Sequence, residues 1–140
     1  MAGFSSRGRV RRGGQSGTAL IEFALVVPLF LTMLMGLVSY GGYFWRAHSL
    51  QQAANDAARA SLAGLTASER ETLALGSAST ELTDLGLDTA RTTVAVSEAG
   101  AVVTVRIAYD GRQDAFLNLG MIPLPSTTIQ RIAAVRLGGL

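Results

Sequence analysis

An uncharged run from Phe23 to Trp45 constrains this chain more than any other feature of its sequence. As a helix, this run is ~34 Å long, which is enough to cross a hydrocarbon core of about 30 Å. Four aromatic residues collect at its far end, where amphipathic rings favour the headgroup layer of a bilayer. The sequence therefore predicts one transmembrane helix, which we place at residues 18–45 together with the turn before the run.

The charges beside this helix predict its orientation. The first 17 residues contain four arginines and no acidic residue, whereas acidic residues outnumber basic ones in the remainder of the chain. Because positive charge is retained on the cytoplasmic side, we expect a cytoplasmic N-terminus and an outer domain over residues 46–140. No basic patch interleaved with aromatic residues is present, so nucleic acid is not expected as a partner.

A conventional cleaved signal peptide is the main alternative to a permanent helix. Its apolar core would contain only about 7–15 residues and would end in a small-residue cleavage site. Here the apolar run is longer and continues into Tyr43, Phe44, Trp45 and Arg46. The sequence therefore favours a retained helix.

Glu22 is a charged residue at the start of the apolar run. A carboxylate at the edge of the bilayer is costly unless it is paired or reaches the interface, so it is a candidate functional residue. Alternatively, Glu22 reaches the membrane boundary or stabilises the positive end of the helix dipole. The spacing of residues alone leaves both interpretations open.

Four residues separate Gly17 from Glu22, between an arginine-rich leader and an apolar helix. This arrangement resembles the processing site of type IV pilin-like precursors, which a prepilin peptidase cleaves after the glycine. The longer stretch from Ser16 to Leu29 resembles the TadE-like family, minor pseudopilins of the tight-adherence (Tad, or Flp) pilus machinery. The Glu-Phe-Ala-Leu-Val-x-Pro run carries most of this resemblance, and Phe23 stands where the major Flp pilins have tyrosine. One departure is Ser39, near which family members often have an acidic residue.

The resemblance implies a role in assembling a Tad/Flp-type pilus, in an initiation or tip complex, rather than catalysis. It implies cleavage between Gly17 and Thr18, which removes the basic leader at residues 1–17, and it makes Glu22 the assembly carboxylate. The implied partners are the prepilin peptidase, other Tad pseudopilins, the major Flp pilin, the inner-membrane assembly platform and the lipid bilayer. The implied location is the bacterial inner membrane, crossed once. Two alternatives remain open: an uncleaved single-pass envelope protein with an outer binding or scaffolding domain, and a type II secretion pseudopilin.

Three further residues of the apolar run have structural interpretations. Pro28 lacks a backbone N–H and clashes with the preceding turn, so it predicts a helix kink. Thr32 and Gly36 form a small-x-x-x-small pair, which predicts a close approach by another helix.

Beyond the membrane, the pattern predicts an α+β fold in which the first helix continues to about Ala63 and packs on a small antiparallel sheet. Thr66 to Glu69 predicts a capping box for a second helix that ends at Leu75, before Gly76, with a loop over residues 77–88. Alternating residues predict two strands joined by a turn near Gly100, and a third strand within residues 127–137. The apolar face of the first helix should comprise Leu50, Ala53, Ala54, Ala57, Ala58, Leu62 and Leu65.

The remaining polar residues do not form a recognisable catalytic motif. The chain has no cysteine and one histidine, His48, and it lacks the usual nucleotide, metalloprotease and hydrolase motifs. The pairs Asp84/Asp88 and Asp110/Asp114 fall in predicted loops, so we expect them on the solvated surface. We therefore predict no enzymatic activity, no metal and no cofactor. The apolar segment 116–125 either covers the sheet edge or forms a protein contact surface.

Overall fold

The computed structural model describes residues 15–115, 117 and 123–138. Two α-helices precede a short 3-10 helix and three strands: α1 (Gln15–Ser61), α2 (Ala67–Asp84), the 3-10 helix (Thr89–Arg91), β1 (Thr92–Ala99), β2 (Val102–Asp110) and β3 (Thr128–Arg136). The strands form one antiparallel sheet in the order β1-β2-β3. The predicted α+β class, with a long first helix and three strands, is confirmed. Most of the basic leader and of the apolar segment 116–125 lies outside the described residues.

The two halves of α1 have different surroundings. The first half is exposed along its length, whereas the second half supplies one side of the core through alanines and Leu50. Five of the residues predicted for this face are fully buried: Leu50, Ala53, Ala54, Ala57 and Ala58. The prediction was wrong for Leu62 and Leu65, which are 49% and 89% exposed because α1 already ends at Ser61.

Small residues let α2 lie close to α1. Ala74, Ala78 and Leu82 recur at four-residue intervals on α2, and all three are buried against the alanine face of α1. The packing of small side chains on both helices explains why a short chain can bury two helices and a sheet face in one core.

The N-terminus of α2 is the capping box that the sequence predicts. The Thr66 hydroxyl accepts a hydrogen bond from the Glu69 amide, and the Glu69 carboxylate accepts from the Thr66 and Leu65 amides. These amides lower the pKa of Glu69. Next to it, Arg70 donates two hydrogen bonds to Glu98 at the end of β1, which lowers the pKa of Glu98.

The predicted end of α2 at Leu75 was wrong, since the helix continues through Gly76 to Asp84. Gly86 is the terminating glycine, with a φ of +65° that favours glycine. The Leu87 amide donates to the Leu82 carbonyl and the Gly86 amide to the Thr83 carbonyl, which together form a Schellman motif. Leu82 and Leu87 are both buried, so the motif also adds two side chains to the core at the C-terminal end of α2.

The sheet places one face against α1. Val103, Val105, Ile107 and Tyr109 of β2 are buried, as the predicted alternation requires, and Ile129 and Ala133 of β3 join them. The strands β1 and β2 are joined by Gly100 and Ala101, and the positive φ of Gly100 suits a two-residue hairpin turn.

Candidate functional site: the exposed helix and its junction with the outer domain

The first half of α1 presents large apolar side chains outward. Leu20, Phe23, Leu25, Leu29 and Met33 are each at least 67% exposed. The helix is long and apolar enough to cross a membrane, and none of its most apolar 18-residue window is buried within the structure. A surface of this kind requires a lipid or protein environment to cover it. Length, composition and exposure are thus consistent with a single-pass membrane protein.

Glu22 lies on this exposed surface, between Ile21 and Phe23, which are 65% and 67% exposed. Across the described residues, no arginine or histidine forms an ion pair with it. The carboxylate is therefore placed where a group from outside the described chain can reach it.

Gly17 and Thr18 lie in the first turn of α1, which starts a few residues earlier than the sequence predicted. Both residues are exposed, and a Cβ placed on Gly17 would meet no atom of the described residues within 4 Å. The backbone at this position is accessible but helical, so a peptidase that binds extended chain must first unwind this turn.

Pro28 lies inside α1, and the helix continues through it. Since proline has no amide hydrogen, the carbonyl of Ala24 lacks its usual helical donor. One turn later, the Thr32 hydroxyl donates to the Pro28 carbonyl at 2.8 Å. This bond satisfies the Thr32 hydroxyl within its own helix, which suits a side chain exposed to lipid. Gly36 is half-buried.

The folded domain formed around the sheet already contacts α1 on the N-terminal side of Arg46. Ser39 is only 1% exposed, Tyr43 packs against the core, and the Tyr40 hydroxyl donates to the Pro123 carbonyl at 2.9 Å. The packed part of the helix therefore overlaps the last residues of the apolar run. Around it, Phe44 lies edge-on to Tyr43, and Trp45 is 52% exposed.

A buried ion pair joins this junction to the loop after β2. Arg46 Nε lies 2.7 Å from Asp114 Oδ2, and the Tyr109 hydroxyl donates to the same oxygen at 2.8 Å. The predicted solvated position of Asp114 was wrong: the residue is 5% exposed, since α1 and β2 enclose it. Burial, with the Asp114 carboxylate, raises the pKa of Tyr109, and Arg46 opposes part of this effect.

The other polar candidates do not converge. His48 is exposed on α1. Asp84 and Asp88 are exposed, as predicted, although Asp84 is the last residue of α2 and does not lie in a loop. Asp88 caps the 3-10 helix by accepting from the Ala90 amide, and it pairs with Arg91. Within the described ranges, no group of three histidine or acidic residues is placed to hold a metal ion.

The model of the TadE-like protein family matches residues 17–59. The match covers the exposed half of α1 and most of its buried half, and it includes Glu22, Pro28, Thr32 and Gly36. No curated protein and no solved structure matches the chain. The resemblance predicted from the sequence is thus confirmed for the helix.

Proposed function

From the similarity of residues 17–59 to the TadE-like family, we propose that this protein is a minor pilin-like subunit that takes part in assembling a Tad/Flp-type pilus. The family match on the exposed helix is the observation that carries the proposal. A family of this kind is structural rather than catalytic. Because the family match lies on α1, we take the exposed surface of this helix as the functional surface. The helix α1 inserts into the inner membrane and leaves the outer domain outside the cytoplasm. During assembly, α1 packs against helices of other pilin-like subunits.

Processing is the first step of the proposed function. The family match starts at Gly17, and this glycine is exposed with open space around it. A prepilin peptidase cleaves between Gly17 and Thr18, which removes the leader and frees the amine of Thr18. A β-branched side chain at Gly17 blocks this step because the peptidase needs close access to the backbone.

Assembly is the second step, and Glu22 acts in it. Its carboxylate lies on an apolar surface with no cation of the described chain beside it. In a bundle of helices, the N-terminal amine of a neighbouring subunit pairs with it, so that two charges costly in an apolar environment neutralise each other. The partners are other Tad pseudopilins, the major Flp pilin and the inner-membrane assembly platform.

Two variants with matched controls test these steps. Gly17→Val should keep the mass of residues 1–140 in a strain with an active prepilin peptidase, whereas Gly76→Val, at an open helical glycine, should lose the leader. The leader is roughly an eighth of the mass, which intact-mass measurement of membrane-extracted protein resolves easily. Full-length protein in the unmodified strain would contradict processing and would favour the uncleaved envelope protein.

Glu22→Gln should give a mature, membrane-inserted protein that no longer co-purifies with pilin-like subunits. The expected loss of association is about 1–3 kcal/mol, because the partner amine remains without a counter-charge. Glu71→Gln removes an exposed glutamate from α2 and should leave co-purification and pili unchanged. If Glu22→Gln also leaves both unchanged, the assembly role of Glu22 is rejected, and Glu22 is a residue of the membrane boundary.

A further inference from the structure

The junction between α1 and the outer domain fixes where hydrocarbon can begin. Residues 123–127 have neither helical nor strand structure, and the Pro123 carbonyl accepts a hydrogen bond from the Tyr40 hydroxyl. Pro123 and Pro125 are exposed. Irregular backbone exposed to lipid does not occur within hydrocarbon, because its polar groups have no water to bind. The hydrocarbon core must therefore end below Tyr40, rather than near Trp45 at the end of the uncharged run.

The shorter apolar helix is still long enough. Residues 18–38 form a helix of ~31 Å, which matches a hydrocarbon core of about 30 Å. Above them, Ser39 is buried and Tyr43 packs against the outer domain, so this turn of α1 already belongs to the folded domain. The aromatic residues Tyr40, Phe44 and Trp45 are 36%, 62% and 52% exposed at this level, where the headgroup layer accepts their rings.

We propose that the outer domain rests on the headgroups of the outer leaflet through Tyr40 and residues 123–125, which we call the membrane seat. Tyr40 belongs to the exposed surface of α1 and is bonded to Pro123, so the seat adjoins the surface that lipid covers, which makes lipid its occupant. The inference rests on the membrane insertion in the proposed function and adds a second lipid contact, made by the outer domain.

The seat also sets the depth of Glu22. If the outer boundary of the hydrocarbon core lies at Val38, Glu22 lies ~24 Å from that boundary along the helix towards the N-terminus. It is then about one helical turn inside the cytoplasmic boundary of the core. With hydrocarbon starting at Trp45, Glu22 would lie ~34 Å down, in the cytoplasmic headgroup layer. The seat therefore places the carboxylate within the apolar layer, where a partner charge stabilises it most.

The absence of cysteine from the chain allows single-cysteine labelling of the full-length protein in phospholipid nanodiscs. The probe is a charged, membrane-impermeant maleimide. The informative site is Gly41, where a new Cβ meets no atom of residues 15–115, 117 and 123–138 within 4 Å. Leu25→Cys marks the hydrocarbon and Leu65→Cys the solvent, since these residues are 72% and 89% exposed in the structure.

We expect Gly41→Cys to react within about threefold of the rate of Leu65→Cys, and Leu25→Cys to react at least about tenfold more slowly. Protection of Gly41→Cys equal to that of Leu25→Cys would overturn the membrane seat while leaving insertion intact. Rapid labelling of Leu25→Cys would overturn insertion itself, and with it the membrane step of the proposed function.

A second measurement tests the lipid contact of the seat directly. A spin label on Pro125→Cys is compared with one on Leu65→Cys, in bilayers that contain a lipid with a nickel-chelating headgroup. Leu65 is exposed at the opposite end of the outer domain, beyond the end of α1. The nickel should broaden the signal at position 125 several-fold more than at position 65. Equal broadening at the two positions would refute contact between the seat and the headgroups.

Discussion

At the scale of single residues, the Arg46–Asp114 ion pair joins the middle of α1 to the loop after β2. Both side chains are at least 87% buried, and the Tyr109 hydroxyl donates a hydrogen bond to the same Asp114 oxygen that Arg46 contacts. Removing one partner from a buried pair costs far more than an exposed ion pair contributes, because the remaining charge keeps its desolvation penalty. Breaking the Arg46–Asp114 pair should therefore destabilise the protein more than breaking an exposed ion pair such as Arg112–Asp110.

Asp114→Asn should lower the free energy of unfolding by about 3 kcal/mol, because it removes the counter-charge of Arg46. Tyr109→Phe removes only one hydrogen bond and should cost about 1 kcal/mol. Urea unfolding of the detergent-solubilised chain, followed by circular dichroism, measures both. Equal losses in the two variants would mean that the ion pair does not stabilise the junction.

The sequence could not predict this cluster, although each of its residues was visible. Asp114 lies in a turn-rich stretch beside Asp110 and Gly111, and local pattern places such a residue at the surface. Its burial depends on Arg46, which is far away in the sequence and reaches it only after β2 has packed on α1. An arginine directly after an apolar run was the available signal, since such a charge needs a partner when the domain covers it.

At the scale of elements, α2 shows which glycine ends a helix. Sequence pattern favoured Gly76, but the buried positions Ala74, Ala78 and Leu82 continue on the same face past it. Burial of this face against α1 outweighs the low helix propensity of one glycine, which amounts to about 1 kcal/mol. The capping box at Thr66 was predictable because its hydrogen bonds lie within one turn, whereas the end of the helix depended on packing.

Alanine substitutions at Gly76, inside α2, and at Gly86, after its end, should therefore change the stability of the protein in opposite directions. Gly76→Ala should stabilise the protein by about 0.5–1 kcal/mol, since the site is helical and a Cβ meets nothing within 4 Å. Gly86→Ala should destabilise it by about 1 kcal/mol, because the φ of +65° strains any residue with a Cβ. Thermal unfolding in one detergent compares them, and destabilisation by Gly76→Ala would restore Gly76 as the helix end.

At the scale of the whole molecule, the uncharged run of α1 and the folded domain share residues. The uncharged run places the boundary after Trp45, because the order of residues along the chain does not show contacts between distant segments. The fold shifts the first contact to Ser39 and Tyr40, through a hydrogen bond between residues 83 positions apart. The class of fold, the exposed helix and the resemblance of that helix to the TadE-like family were therefore predictable from sequence, whereas the place where the folded domain meets the helix was not.

Two truncated chains test whether the domain starts before Arg46. Residues 39–140 keep Tyr40, Tyr43 and Arg46, so this chain should fold and unfold in one cooperative thermal transition. Residues 47–140 keep the alanine face of α1 but lose the Tyr40–Pro123 bond and the Arg46–Asp114 ion pair, and should melt at least ~10 °C lower. The Asp114→Asn variant of the longer chain should reproduce most of this loss, since both changes break the same ion pair. Identical melting temperatures for the two truncated chains would place the start of the domain at residue 47 and reduce the Ser39–Arg46 turn to a passive link.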